Sequence, residues 1–537
     1  SNASALFKNK FSKDTRPNTL TNTGANSLIT FSDFSDISNR MSFKLVFGDS
    51  VIKPIFSISL NDIPKVKDLS SFEKVNSSEF ILRTDSSLII LSDSGYLVNS
   101  YDFITAVKPA VDVINNTDYL VQPVDSIVYV IMQGGASTNY IRPGEIVTTS
   151  PLIIKTLTEA DRIIFGTDAG KVFVFSTGSP NEEPTLLNSI TMDTSLIIIK
   201  IAGDNLFFSF IAESKTASSP PTPFNLFFDN SGNSFSFVGE SPIDLALTKD
   251  KEGNYISVVL TNKNKFYILS ENELVNSFKI ESGFEINSFS LIDLRKDGNI
   301  YITFNNGSRL EARNFDGALA DNYPVSNPEG KNFVLTPLAM DFEGDDRTEL
   351  FTFTEDGRIF AFDGPSGRLV NGFPLSAGAN PSAVPVLYSE RGLPSIALID
   401  ENNFFAAWNV GMVEGDFYWR EKNGNNLNTS FSAGAESEFA VNEFFPKNRA
   451  YNYPNPVYDG QTFIRYYVSE DSKINIKIFD LAGGYVSELS DDAQGGMDNE
   501  TVWNVTDIQS GVYLARIEAV SSTGKSESQV IKIAVVK

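Results

Sequence analysis

The 537-residue chain contains no cysteine and no histidine. Lack of cysteine excludes disulfides, thiolate metal sites and a cysteine nucleophile. Lack of histidine excludes a Ser-His-Asp triad, an HExxH zinc site and an imidazole general base. Any chemistry would fall to carboxylates, lysines, tyrosines or a hard cation, so the expectation is that this chain is not an enzyme. Positive charge is also scarce. The 43 Lys and Arg stand against 67 Asp and Glu, a net charge of −24, which argues against a nucleic-acid partner and suits an acidic, extracytoplasmic surface. No apolar run reaches the roughly 18 residues a membrane span needs, and amphipathic helical periodicity is nearly absent.

What the chain has instead is short apolar strands separated by Gly, Asn, Asp and Ser turns. Comparable pairs recur in "EFILRTDSSLIILSDSGYLVNSY", "DRIIFGTDAGKVFVFSTG", "YISVVLTNKNKFYILSENELVNSF" and "ELFTFTEDGRIFAFDGPSGRLVNGFPL". Their second strands, with those of intervening units, lie near 90, 129, 173, 228, 267, 310, 359 and 405, a period of about 40–50 residues. Three or four strands per unit at that period predict an all-β fold, a β-propeller of seven or eight blades over 49–431. "SSPPTPF" (218–224) reads as an insertion within one blade. Residues 432–449 break the rhythm and read as a linker. In 450–537, strict alternation in "KINIKIFD", "GVYLARIEAV" and "QVIKIAVV" predicts a small immunoglobulin-like β-sandwich. The opening Ser1–Ala3 reads as a cloning remnant.

Five acidic residues crowd between Asp341 and Glu349. The stretch "MDFEGDDRTELFTFTEDGRIFAFDGPSG" resembles the quinoprotein-like and FG-GAP-type propellers of secreted bacterial proteins, and "FYWREKNGNNLNTS" (417–430) resembles the Trp-containing segment that often ends them. In FG-GAP loops alternate oxygens wrap a calcium ion, and the matching positions here are Asp341, Glu343, Asp345 and Glu349. Two departures count against a cation. Glu343 is one methylene too long, and Asp346 stands where glycine permits the sharp turn. The equivalent loop "LIDLRKDGNIYI" keeps Asp293 and Asp297 but has Arg295 and Tyr301 at the other positions. Calcium is therefore the one cofactor the chain offers, and a solvated blade corner is the alternative.

The C-terminal module carries four marks in order: "YPNP" (453–456), "IFDLAG" (478–483), "SGVYLARI" (510–517) and the terminal "KIAVVK" (532–537). It resembles the type A C-terminal sorting domain of the type IX (Por) secretion system of Bacteroidetes. The positions carrying that resemblance are Pro454, Asn455, Pro456, Asp480, Gly483, Gly511, Tyr513, Lys532 and Lys537. Pro454 and Pro456 are expected to fix an extended entry strand, and Gly483 and Gly511 to supply permissive backbone at turns. The resemblance implies export across the outer membrane through the type IX machinery, followed by surface attachment or release.

Residues 4–48 do not fit the blade rhythm. "RPNTLTNTGANSLITFSDFSDISNRMSFKLVFGD" resembles the end of the catalytic domain of M6-type (immune inhibitor A-like) metalloproteases at Pro17, Asn18, Ser27, Ile29, Ser35, Met41, Phe43 and Leu45. The resemblance implies a chain lying downstream of a zinc protease domain; the alternative is a strand that closes the propeller ring. The functional expectation is a non-catalytic propeller that binds protein or glycan on a face of the ring. A carboxylate-based glycan-active enzyme and a free-standing surface adhesin remain as alternatives.

Overall fold

The computed structural model describes residues 10–536 except 14, 16–17, 22–24, 36–41, 48–51, 61–62, 75–76, 115–116, 133–136, 157–160, 179–181, 216–223, 229–233, 271–272, 345–346, 412–414, 435–443, 446–449, 454, 459 and 496. The chain divides into two compact units, Ser1–Glu436 and Ser437–Lys537. All described regular structure is strand, and no described helix is long and apolar enough to cross a membrane.

In the first unit the strands form eight antiparallel sheets with four strands each from consecutive sequence, the last excepted. The inner strands are Asp68–Glu73, Ala110–Ile114, Leu152–Ile154, Leu196–Gly203, Pro242–Lys249, Ser290–Asp293, Phe333–Met340 and Val386–Glu390. Each contacts the next, and the eighth contacts the first, so the sheets close into an eight-bladed propeller. The recurring hairpin has a local cause. Thr84, Thr167, Thr261 and Thr354 end the second strands, and each hydroxyl oxygen accepts a turn N–H, from Ser87, Lys171, Lys263 and Arg358. This side-chain turn replaces backbone pairing where the strand reverses.

The ring is closed by strand exchange. Blade 8 takes three strands from 386–409 and its outermost from Lys53–Ser59, which pairs antiparallel with Phe404–Asn409. Phe56 from the early strand and Phe405 lie 5.0 Å apart, and Phe80 of blade 1 meets Phe405 at 5.1 Å and Tyr388 at 5.0 Å, all edge-on. Such pairs contribute about 1 kcal/mol each beyond their buried area. The strand that closes the ring is thus 53–59, not a part of 4–48. Strands Lys10–Phe11, Ile29–Ser32 and Lys44–Phe47 form a separate three-stranded sheet outside the blades. The connection between the first two of them docks on blade 7, where Asn26 donates its backbone N–H to Pro374 O and its amide to Gly372 O.

The second unit is a two-sheet sandwich. Ala450–Tyr453, Gln461–Val468 and Met497–Asn504 form one sheet; Ser472–Asp480, Tyr485–Ala493, Gly511–Ser521 and Ser526–Val535 form the other. Alternate residues Ile474, Ile476 and Ile478 lie beside Ala519, Ile517 and Ala515 on the neighbouring strand, all on the inner face of that sheet in one core. Phe444 and Phe445, within the stretch expected to be linker, are buried in that core too.

Phe405 is fully buried at the junction between first and last blades. Phe405→Ala is expected to lower the unfolding free energy by about 3–5 kcal/mol, read by urea denaturation of the whole chain. A cost near that of an exposed-site substitution would mean the junction does not hold the ring.

Candidate functional site

A ring of eight inner strands leaves backbone edges facing its axis, and buried N–H groups must find partners. Here one segment supplies most of them. After blade 8 the chain re-enters the ring and winds once around the axis, from Asp416 to Ser432. Asp416 O accepts from Asp341 N of blade 7, and Arg420 O from Leu387 N of blade 8. The Glu421 carboxylate accepts from Ser71 N of blade 1. Asn426 O, Leu427 O, Thr429 O and Ser430 O then accept from Val111, Ile153, Gly203 and Leu247, on blades 2 to 5 in order. Phe417–Trp419 adds an antiparallel strand to blade 7, and Phe431–Ser432 a parallel one to blade 5.

The composition of this plug follows from its curvature. Four of the six residues 423–428 are asparagine. Asn423, Gly424, Asn428 and Ser430 have φ of 63°, 85°, 60° and 45°, a left-handed region that glycine and asparagine adopt at least cost. At the axis Lys108 Nζ, wholly buried, lies 2.9 Å from Glu421 Oε1 and donates to Asn428 Oδ1 at 2.6 Å and Asn425 O at 3.3 Å. Burial pushes the Lys108 pKa down, with the Glu421 carboxylate opposing. Lys422 reaches Asp68 Oδ1 at 2.7 Å, and Arg420 pairs with Glu73.

With the axis filled, one mouth of the ring becomes a blind basin of about 560 Å³. Its floor includes Trp419, Lys422 and Asn423 of the plug, and its walls come from the entry ends of the inner strands of blades 5 to 8 with Lys67 and Lys200. One wall is bulged. Register slips between Val334 and Leu338, and Leu335 sits at φ 65°, a strained value for leucine. Asn305 holds the bulge by donating its amide to Leu335 O at 2.9 Å and Val334 O at 3.3 Å, while Thr352 donates to Asn305 Oδ1 at 3.0 Å. Lys200 pairs with Asp244 within the basin, so three lysines and three carboxylates (Asp244, Glu285, Glu355) leave it near neutral.

The acidic loop lies beyond the other end of blade 7's inner strand, an eight-residue strand spanning on the order of 20 Å. It is therefore on the opposite face from the basin. Asp341 and Glu349 are buried there; Asp345 lies outside the described residues, as does Asp346. The Lys296 ammonium, from the equivalent loop of blade 6, is 3.2 Å from Asp341 Oδ2 and 3.3 Å from Asp416 Oδ2. Gly344 N donates to Asp341 Oδ1 at 2.6 Å and Phe342 N to Glu349 Oε2 at 3.0 Å. Burial, then the charges of Glu343 and Asp341, push the Glu349 pKa well up. Among the described residues no three carboxylates come together in a way that could hold a metal ion.

In the sandwich, the "YPNP" turn acts as a clip. Asn455 donates its amide to Lys532 O at 2.8 Å and accepts from Ala534 N at 2.9 Å, so it holds the edge of the last strand that its partner Gly511–Ser521 leaves open. After Pro456, Val457 continues the clip, bonding Ala534 O and receiving Val536 N. Lys532 thus enters through its backbone. Asp480 accepts from Ala482 N and Gly484 N, closing the turn in which Gly483 has φ 84°. Tyr513 donates to Gln509 O at 2.8 Å and meets Trp503 edge-on at 5.5 Å, the tyrosine corner of such sandwiches. Gly511 departs from expectation: its φ is not left-handed, and an added Cβ would meet only the Tyr513 ring at ordinary distance. Pro454 and Lys537 lie outside the described residues.

A family model described as "Secretion system C-terminal sorting domain" matches residues 452–532. None of the curated proteins matches the chain. Among solved structures, a crystal structure of Saccharomyces cerevisiae Sqt1 is similar at 10% identity and TM-score 0.48, covering 66% of this chain and 98% of that one. A crystal structure of BBS1N in complex with ARL6DN, soaked with lead, is similar at 10% identity and TM-score 0.43, covering 67% and 97%. The family match makes 452–532 a type IX secretion sorting domain, which implies export to the cell surface or the medium, and the closed ring of eight sheets makes the unit before it in sequence a β-propeller.

Two outcomes are expected here. Lys108→Met strands Glu421 without its partner and should cost about 3–5 kcal/mol in a denaturant titration. For Glu349, the raised folded-state pKa means its stabilising contribution is whole below the unfolded glutamate value and drains away as pH climbs toward the folded value. Glu349→Gln should therefore flatten the fall of melting temperature from pH 4 upward and raise it at neutral pH; an unchanged profile would remove the charge crowding from the account.

Proposed function

We propose that this chain is the non-catalytic, ligand-binding and sorting portion of an exported protein, and that it holds protein or glycan in the axial basin of its propeller. The observation that carries the reading is the plug, which turns a through-channel into a closed-floored basin with a strained, braced wall. Concave, largely preformed sites of this size, with a few placed polar groups, are what ligand binding uses. Strain kept in place by Asn305 belongs where a surface has to present a fixed shape. Substituting Leu335→Gly together with Asn305→Ala should leave the propeller folded and abolish ligand retention by the purified chain. Turnover of a glycan that is lost on Glu355→Gln or Glu285→Gln would instead make this a carboxylate-based glycan-active enzyme.

The M6 resemblance enters as a proposal on where this portion comes from. Its support is that Lys53–Ser59 closes the ring, which leaves the sheet of 10–47 outside all eight blades. Peptide mapping of the native protein in the outer-membrane fraction and medium is expected to find an HExxH-bearing segment joined upstream. A mature form with no such segment would leave a free-standing surface adhesin, and the Bacteroidetes origin would rest on the sorting domain alone.

For the acidic corner, we propose that Lys296 supplies the positive charge a calcium ion would otherwise bring. Lys296→Met should cost about 3 kcal/mol by exposing Asp341 to uncompensated burial. Exchanging calcium for chelator should leave the wild-type melting temperature unmoved. A calcium-dependent rise that Asp341→Asn abolishes would make Asp341, Glu343, Asp345 and Glu349 a calcium site.

A further inference from the structure

Among the described residues the basin contains one exposed aromatic side chain, and it is mounted. Phe284 is 49% exposed and lies against Gly307, where an added Cβ would fall 2.5–2.9 Å from three carbons of the ring. Gly307 has φ 59°, so the position calls for glycine twice: for its backbone angle and for the ring resting on it. The mount is fixed on both sides. Phe284 N donates to Ser282 Oγ at 2.9 Å, Asn264 donates its amide to Phe284 O at 2.7 Å, and Phe333 N donates to Gly307 O at 2.8 Å. A phenylalanine left half in water on the surface of a soluble chain usually lies loose; this one is backed by main chain on one face and open to the basin on the other.

Around it the lining is amide-rich. Asn287 and Asn332 border the same space, with Ser288 and Glu355 nearby. An amide offers a donor and an acceptor side by side, which suits a pair of adjacent hydroxyls. The charges of the basin balance, three lysines against three carboxylates, in a chain whose net charge is −24. An anionic ligand would meet that overall field unfavourably, and a cationic one would have many better sites outside the basin. What fits is a molecule that is uncharged, rich in hydroxyls and flat and apolar on one face.

We infer that the basin binds a neutral oligosaccharide, one pyranose ring stacked on Phe284 and its hydroxyls held by Asn287 and Asn332. This rests on the reading of the basin as the binding site and names its ligand class. A volume of about 560 Å³ accommodates a short oligosaccharide rather than a single sugar. The arrangement binds without cleaving: Phe284 supplies the platform and the amides supply selectivity among hydroxyl configurations.

The test is titration of the full chain with a panel of uncharged trisaccharides of glucose, galactose, mannose and N-acetylglucosamine, read by calorimetry and by tryptophan emission. Trp419 borders the basin and reports occupancy. At least one member should bind and shift the emission. Phe284→Ala should weaken it by roughly tenfold or more, and Asn332→Ala should weaken it while altering the preference among sugars. Gly307→Ala, whose melting transition should stay cooperative though lowered by the left-handed backbone, should reproduce the Phe284 loss by displacing the ring. Tyr96→Ala, an exposed aromatic on blade 1 outside the basin, should leave binding intact. Sugar binding that survives Phe284→Ala overturns the inference. If short uncharged peptides bind in the basin and no sugar does, the inference falls while the binding reading stands. If neither class moves the emission or releases heat, both fall.

Discussion

Eight inner strands each turn an edge of amides toward a common axis, and a closed ring gives those edges no neighbouring strand to pair with. The plug answers that constraint with its own carbonyls, taken in blade order from 7 through 8 and on to 5, and with one buried charge pair at the centre. Everything else on the axis follows from it. The channel is blocked, and the basin has a floor to which Trp419, Lys422 and Asn423 contribute. The pair Lys108–Glu421 would be a poor choice for stability alone, since desolvating two charges cancels much of their attraction. Its value is in registry, because Asn428 and Asn425 share the same ammonium and so tie the plug to one rotation about the axis.

The all-β class and the propeller could be read from the sequence because the blades repeat one short pattern: an apolar strand, a polar turn, a second apolar strand. Blade number was harder. Blade 8 is assembled from two distant parts of the chain, so its fourth strand at 53–59 looks like a stray strand rather than the end of a unit. The sorting domain was more legible still, because its marks are side chains with fixed local duties, Asn455 clipping the last strand and Asp480 closing its turn. Gly511 misled, since a glycine at a strand start resembles a turn glycine in sequence while needing no special backbone angle here.

The basin was not legible at all. Phe284, Gly307, Asn332 and Trp419 lie far apart in sequence and share no spacing rule; only the ring brings them together. The plug did leave a signal, four asparagines in six residues, but that composition also suits an ordinary loop. What separates the two is the left-handed backbone at Asn423, Asn428 and Ser430. The acidic loop shows the opposite error. Its five carboxylates drew attention in the sequence, yet the lysine that answers Asp341 comes from the neighbouring blade's loop, 45 residues earlier in the chain.

The ring is fastened at both ends of its own sequence, and this bears on the order in which it can form. Strand 53–59 waits for residues 404–409, and the inner edges of blades 1 to 5 wait for residues 420–430. As the chain is made, the first blades therefore emerge with open edges on the axis and a missing neighbour at one side. They keep that state until nearly the entire propeller has appeared. Contacts closing over more than 300 residues are slow to form, and exposed strand edges are where misassembly begins. A propeller built this way has no smaller version of itself: a chain ending before residue 386 would be an open row of blades, and one ending before residue 416 would be a ring with neither plug nor floor.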